Sequence, residues 1–195
     1  IARRDMHDVS EMHRTLLSAF SDKDDGGPGQ VLWRLDNDRR SGTSRVLIQS
    51  DKQPNWNTVS QRASDYLATD VPEGLPPTQL KQLPEWKLHS GQCLAFRLRA
   101  NPTVKREGKR HGLLTEEDQT AWLIRKAGQA GFRVLSVSLT PERPHECGKG
   151  NGRQLKFVST LFEGQLVVTD PAEFVSKGIS SGIGSGKAFG FGLLS

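Results

Sequence analysis

The last 18 residues constrain the fold most, because they combine dense glycine with a single cation, Lys187. Glycine reaches positive φ at little steric cost and lets a backbone approach a partner closely. Consecutive N–H groups in such a backbone form a concave site for an anion such as phosphate. Phe189, Phe191, Leu193 and Leu194 lie in the same stretch, so we predict a buried terminal strand and not a flexible tail. The glycines are Gly178, Gly182, Gly184, Gly186, Gly190 and Gly192.

These glycines do not match the phosphate loops of nucleotide-binding proteins. In a Walker A loop the first glycine would be Ser181, and the Ser or Thr after the lysine would be Ala188. In the dinucleotide fingerprint G-x-G-x-x-G, the last glycine would fall on Lys187. A phosphate loop also opens a helix, whereas only eight residues follow Lys187. We therefore predict no nucleotide cofactor and favour an RNA or DNA backbone as the anion.

Composition predicts one large or two small globular domains. The 195 residues are 34% hydrophobic and 25% charged, which is ordinary for such proteins. We see no apolar run long enough to span a bilayer and expect no signal peptide. Cys93 and Cys147 lack a close ligand spacing, so neither a zinc site nor a disulfide framework is predicted. We expect no metal, no cofactor, no membrane partner and a cytoplasmic location.

The net charge of +5 is unevenly distributed along the chain. Residues 1–84 have a net charge of −1, and residues 85–195 have a net charge of +6. A basic half beside a neutral half indicates a polyanionic partner for one surface.

The most basic stretch is residues 100–112, where four cations accompany Glu107. With two glycines and a proline, this stretch is predicted to be a mobile basic loop. It follows LAFRLR at residues 94–99, whose alternation predicts a strand with Arg97 and Arg99 on one face. A solvated loop with no partner is the alternative interpretation. The four cations are Lys105, Arg106, Lys109 and Arg110.

The order of predicted elements defines the fold class. In residues 85–195 the order is strand, helix, strand, strand, helix, strand, which is the ferredoxin-like arrangement. Residues 1–84 give a shorter version of the same order, with residues 1–3 as the end of a truncated first strand and residues 86–88 as a closing strand. We therefore predict an α+β fold of two tandem ferredoxin-like (RRM-like) domains, residues 1–84 and 85–195.

The first predicted helix carries the best group for proton transfer. Asp8 with Glu11 three residues later predicts a capped helix that ends near Phe20. His13 lies at the edge of its apolar stripe, and its ordinary pKa is close to working pH. Taken alone, a helix-edge histidine without an identifiable carboxylate partner is more often structural.

Several segments together resemble the CasE family, the CRISPR RNA-processing endoribonucleases of the type I-E Cascade complex. The resemblance spans nearly the whole chain in the same order, which is more specific than any single motif. The segments are EMHRTL at residues 11–16, FRLRANP at 96–102, AWL at 121–123, LFEG at 161–164 and GIGSGKAFGFGLLS at 182–195.

The resemblance implies a tandem ferredoxin-like fold and metal-independent cleavage of CRISPR repeat RNA at the base of a hairpin, with the product retained in Cascade. The family's catalytic histidine falls on His13, and its helper tyrosine falls on Ser10. A lysine used by some members falls on Ser18. The glycine-rich loop of the family falls on residues 182–192, with Lys187 as its basic residue.

RNA supplies its own nucleophile, so proton transfer suffices for cleavage to a 2′,3′-cyclic phosphate and a 5′-OH. We expect His13 to carry the proton, Arg14 and the glycine-loop amides to stabilise the phosphorane, and Ser10 to hold a water or orient His13. We expect His13 and residues 182–192 to act on one ribose-phosphate linkage. The expected RNA-binding residues are Arg97, Arg99, Lys105, Arg106, Lys109, Arg110, Gly182, Gly184, Ser185, Gly186 and Lys187.

A second hypothesis is a non-catalytic RNA-binding subunit of the same architecture, which the serines at positions 10 and 18 also permit. Tyr66, the only tyrosine, lies in a weakly predicted helix and is not expected to approach His13.

Overall fold

The structure is a computed structural model. It describes residues 2–20, 26–37, 42–64, 66–67, 76–83, 85–142, 145–148 and 154–195. The chain divides into two compact units, Ile1–Val31 with Ser50–Trp86 and Leu32–Gln49 with Lys87–Ser195. Residues 32–49 belong to the second unit, although our division at residues 84 and 85 assigned them to the first; that division stays a prediction.

The described residues of the first unit form three short helices, α1 (Ala2–His7), α2 (Val9–Leu17) and α3 (Trp56–Arg62). Asp8 caps α2 as predicted, because its carboxylate accepts hydrogen bonds from the N–H groups of Ser10 and Glu11 at 2.8 and 3.3 Å. The predicted strand end at residues 1–3 is wrong where the structure describes it, since residues 2 and 3 lie in α1. The buried apolar side chains of this unit include Val9, Met12, Leu16, Phe20 and Val59.

The second unit contains a three-stranded antiparallel sheet of β3 (Cys93–Ala100), β6 (Phe132–Pro141) and β9 (Thr160–Val168), in the order β3-β9-β6. The chain end extends this sheet, because the N–H of Arg97 donates to the carbonyl of Ser195 at 2.8 Å and the Ser195 N–H donates back at 3.1 Å. When β3, β6, β9 and the chain end are numbered 1 to 4 along the sequence, their order across the sheet is 4-1-3-2. This is the ferredoxin-like order predicted for residues 85–195.

Helices cover one face of this sheet. Helix α4 (Glu116–Gln129) begins at Thr115, whose hydroxyl accepts from the Asp118 N–H at 3.1 Å. Helix α5 (Pro171–Glu173) begins after Asp170 and continues as a π-helix, Phe174–Ser180. Aromatic contacts join the layers, with Trp122 stacked on Phe162 at 6.1 Å and Phe132 edge-on to Phe174 at 5.5 Å.

The second unit also contains hairpins, one of which replaces the predicted basic loop. Residues 100–112 form β4 (Thr103–Arg106) and β5 (Lys109–Gly112), so the expectation of a mobile basic loop is wrong. Strands β7 (His145–Gly148) and β8 (Gln154–Phe157) pair as a further hairpin. Strands β1 (Val31–Asn37) and β2 (Ser44–Ser50) also pair, whereas the closing strand expected at residues 86–88 does not form. Within the described part of the chain, every helix is too short or too polar to cross a membrane.

Gly164 of β9 and Gly128 of α4 provide a matched test of this packing. A Cβ on Gly164 would lie 2.0 Å from the carbonyl oxygen of Ser136, where β6 shifts register. We expect Gly164→Ala to lower the free energy of unfolding by about 2–3 kcal/mol, because the backbones must separate. A Cβ on Gly128 would meet no atom within 4 Å, so Gly128→Ala should raise the free energy of unfolding by up to ~1 kcal/mol. Urea unfolding of both variants measures the difference, and equal midpoints would contradict this packing.

Candidate functional site

The glycine-rich segment is packed on aromatic side chains of its own unit. A Cβ on Gly184 would lie 2.9 Å from Cζ2 of Trp122, and a Cβ on Gly190 would lie 2.9 Å from Cζ3 of Trp33. Both glycines have positive φ, 84° and 78° respectively. Any side chain at either position would therefore be strained and would collide with a ring. The glycines that suggested an anion site are required first for packing.

Burial restricts which part of this segment can face a ligand. Phe191, Leu193 and Leu194 are buried, as predicted, but Phe189 lies in a 3₁₀ turn, Lys187–Phe189, and not in a strand. Gly182 is also buried, where a Cβ would lie 2.8 Å from Leu32, so it is a packing position. The expected RNA surface of the segment is thereby reduced to residues 184–187, which are half-buried.

Residues 184–187 adjoin the start of the basic hairpin. The hydroxyl oxygens of Ser185 and Thr103 lie 3.5 Å apart, and Thr103 is the first residue of β4. Burial, and secondly the charge of Lys126, lowers the pKa of Lys187. The structure therefore brings together two sequence-predicted groups, the lysine of the glycine segment and the hairpin of cations.

The hairpin places like charges opposite one another. Lys105 faces Arg110 and Arg106 faces Lys109 across the two strands, and all four side chains are exposed. Like charges in direct cross-strand pairs destabilise a sheet. The turn that joins the strands also holds Glu107 at a φ of 49°, a left-handed conformation that only glycine adopts freely. An anion along this hairpin would relieve the charge repulsion.

The two arginines of β3 have different environments, although we predicted one role for both. The Arg97 side chain is 45% exposed and pairs with Glu163 at 2.6 Å. The Arg99 side chain is only 10% exposed, pairs with Glu142 at 2.6 Å and lies 6.0 Å from the centre of the Phe191 ring. Its role as an RNA-binding residue stays a prediction, and its burial and its ion pair with Glu142 weigh against it.

The first unit carries His13, Ser10 and Arg14 on α2. The His13 side chain is half-buried, and burial lowers its pKa from the ordinary value of 6.5. Arg14 is exposed and forms an ion pair with Glu11, which also pairs with Arg4 at 3.1 Å. Arg14 thus shares its carboxylate partner with a second cation, so its guanidinium is only partly neutralised.

Sequence reasoning missed a buried polar group beneath this helix. Asp5 of α1 is fully buried and pairs with Arg4 at 2.8 Å. Tyr66 donates from its hydroxyl toward the sulfur of Met12 at 3.2 Å, on the core side of α2. Burial, and secondly the charge of Asp5, raises the pKa of Tyr66, so the phenol stays protonated at neutral pH. No local spacing links residues 5 and 66, so only the fold could reveal this contact.

The described residues contain no group of three or more His, Cys, Asp or Glu side chains arranged to hold a metal ion.

Comparison with known proteins identifies the family. Residues 1–195 match the family described as CRISPR associated protein. This chain belongs to that family. It is 35% identical to the CRISPR-associated endoribonuclease Cse3 of Thermus thermophilus, with 100% of the chain and 92% of the relative covered. It is 32% identical to the CRISPR system Cascade subunit CasE of Escherichia coli, with coverage of 100% and 94%.

Solved structures agree over the same length. Cse3 bound to a 19-nucleotide RNA is similar with a TM-score of 0.79 and 34% identity, and 100% of this chain and 92% of that chain are covered. Thermus thermophilus Cse3 bound to an RNA representing a pre-cleavage complex has a TM-score of 0.76 and 34% identity, with coverage of 100% and 91%. The predicted fold class, two tandem ferredoxin-like domains, is confirmed by these similarities.

Proposed function

We propose that this chain is an endoribonuclease that processes CRISPR precursor RNA and keeps the cleaved repeat hairpin as a Cascade subunit. The observation that carries this proposal is its similarity, over the full chain, to a protein named an endoribonuclease. The partners are the repeat hairpin RNA and other Cascade subunits, and the chemistry uses no metal and no nucleotide cofactor. The cytoplasmic location stays a prediction.

His13 is the proton carrier in this proposal. The 2′-OH gives its proton to neutral His13 and attacks the adjacent phosphorus. The bond from phosphorus to the 5′-oxygen then breaks, and that oxygen takes up a proton from the imidazolium of His13, which returns to its neutral form. The products are a 2′,3′-cyclic phosphate and a 5′-OH. Burial supports this role because it keeps the imidazole unprotonated near neutral pH.

The second unit supplies the RNA contacts. The four hairpin cations and Lys187 bind backbone phosphates, and exposed Arg97 adds a weaker contact because Glu163 competes for it. An RNA stem is recognised mainly by shape, phosphates and 2′-hydroxyls. Ser10 and Arg14 stay secondary proposals: Ser10 would orient His13 or hold a water, and Arg14 would stabilise the phosphorane once RNA competes with Glu11.

His13→Ala should abolish cleavage of the cognate repeat RNA in EDTA while leaving hairpin affinity within about twofold. Removing one general acid–base group typically slows a reaction ~10²–10⁴-fold. Single-turnover assays with labelled RNA measure the rate, and analysis of the product ends tests for the cyclic phosphate. His89→Ala, at an exposed loop histidine of the second unit, is the matched control and should cleave at the wild-type rate.

Two results would redirect the proposal. If His13→Ala cleaves as fast as the wild type, the chemistry belongs to other residues. If the wild type binds the hairpin but never cleaves it, the chain is the non-catalytic RNA-binding subunit of the second hypothesis.

The rate of RNA cleavage should fall at acidic pH, and the midpoint of this fall should lie below pH 6.5. The folded pKa of His13 is lowered, so the neutral base persists as pH falls past 6.5 and is lost only at the lower folded pKa. The single-turnover rate measured from pH 4.5 to 8.5 gives the midpoint. A midpoint at or above pH 6.5 would show that the rate is not controlled by a histidine whose pKa is lowered by burial.

Stability has a matching pH dependence. The unfolded chain takes up a proton at His13 near pH 6.5, before the folded chain does. The free energy of unfolding should therefore fall as pH decreases from above 6.5 to the folded pKa of His13. His13→Ala removes this contribution and provides the control.

Replacing Lys105, Arg106, Lys109 and Arg110 by Gln should abolish specific hairpin binding and flatten its salt dependence. Each phosphate contact removed lowers the slope of log K against log salt by about 1. Filter binding at several salt concentrations measures both quantities. The matched control replaces the exposed cations Arg62, Lys81, Lys87 and Arg125 by Gln, which removes the same charge and should change affinity little. Equal losses in the two variants would indicate that net charge alone matters.

A further inference from the structure

Two lysines of the second unit, Lys126 and Lys187, lie within four residues of the contact between the glycine-rich segment and α4. Gly184 packs directly on Trp122 of α4, and Lys126 is one turn further along the same face of that helix. The segment then turns into Lys187–Phe189. Lys187 is thus three residues from a contact that lies one helical turn from Lys126. Burial, and secondly the charge of Lys126, lowers the pKa of Lys187, which agrees with this placement.

This lysine pair lacks a counter-charge among the described residues. Lys126 and Lys187 are both half-buried, and the Lys126 ammonium donates to the side-chain oxygen of Gln129 at 3.2 Å. Neither lysine forms an ion pair with a described carboxylate. Other cations of the unit do: Arg34 pairs with Asp36 at 2.8 Å, and Lys177 pairs with Glu173 at 2.5 Å.

Two neighbouring ammonium groups without an acid raise the free energy of the unliganded protein. Partial burial strengthens their repulsion, because it reduces screening by water. Hydroxyl groups are close to Lys187 along the chain, since Ser185 precedes it by two residues and lies 3.5 Å from Thr103. Two cations and adjacent hydroxyl donors are the groups that bind a phosphate.

We propose that Lys126 and Lys187, assisted by the Ser185 hydroxyl, bind one phosphate of the RNA backbone between them. This inference rests on the proposed function and adds Lys126, on α4, to the RNA contacts. The phosphate is a phosphodiester of the bound strand and not part of a nucleotide, because the segment lacks both nucleotide-loop patterns.

A double-mutant cycle tests the shared phosphate. The probe is the repeat hairpin with a 2′-deoxy nucleotide at the scissile position, so that binding is measured without cleavage. Lys126→Gln and Lys187→Gln should each raise the dissociation constant about five- to tenfold and lower the salt slope by about 1. The dissociation constant of the double variant should rise by much less than the product of the two single factors, because either substitution removes most of one shared contact.

Lys177→Gln is the matched control, since this lysine is exposed and already paired with Glu173. It should leave the dissociation constant unchanged. Lys126→Arg should restore most of the affinity, because it restores the charge. The proposal is overturned if the fold-change in dissociation constant of the double variant equals the product of the two single fold-changes. It is also overturned if Lys126→Gln binds the hairpin with wild-type affinity.

Thermal unfolding without RNA separates binding from a structural role. Lys126→Gln relieves the repulsion, so its Tm should equal or exceed that of the wild type. Inorganic phosphate should raise the wild-type Tm above the value in chloride of equal ionic strength, and this gain should shrink in Lys126→Gln. A lower Tm in Lys126→Gln would instead show that the lysine stabilises the fold.

Failure of the proposed function has a different signature. If the wild type binds no repeat hairpin, the endoribonuclease proposal fails. The Tm measured in inorganic phosphate then tests separately whether Lys126 and Lys187 bind an anion. A phosphate-dependent gain in Tm that needs Lys126 supports the site, and its absence overturns it.

Discussion

The second unit depends on a backbone that lies against aromatic rings without an intervening Cβ. Gly184 covers Trp122 and Gly190 covers Trp33, and the chain then pairs with β3 through Ser195. These contacts fix the path of a segment that contains little regular structure. They also set the exposure of its polar groups, because residues 184–187 are held at the surface by the rings beneath them. The packing constraint thus shapes the surface that we propose for RNA binding.

Local patterns predicted most of the elements, and pairings between distant residues account for the errors. The caps at Asp8 and Thr115 and the strand order of the second unit follow from neighbouring residues and from element order. The hairpin at residues 103–112 was missed because Lys, Arg and Glu have low strand propensity, and its pairing overrides that preference. The burial of Arg99 depends on Glu142, 43 residues away, which no spacing on β3 can indicate.

Charge balance separates structural cations from those available to a ligand. The buried Arg99 has a carboxylate partner in Glu142, so its charge is compensated within the fold. The hairpin cations face one another in cross-strand pairs, and Lys126 lies one turn beyond Trp122, on which Gly184 packs three residues before Lys187, so in both places the backbone brings cations into one neighbourhood. Sequence alone gives the number of cations but not this arrangement. A protein that tolerates such repulsion when unliganded gains correspondingly more when a polyanion binds.

The same reasoning applies to the histidine that we propose as the proton carrier, where the constraint is burial and not charge. A fully exposed imidazole would titrate near its ordinary pKa and would be solvated in both protonation states. Partial burial of His13 disfavours the imidazolium, so the group starts as a base and becomes a stronger acid once protonated. This property requires neither Ser10 nor Ser18 to reproduce the family's tyrosine and lysine. The departures at those two positions therefore change how the proton carrier is assisted, and they leave the carrier itself intact.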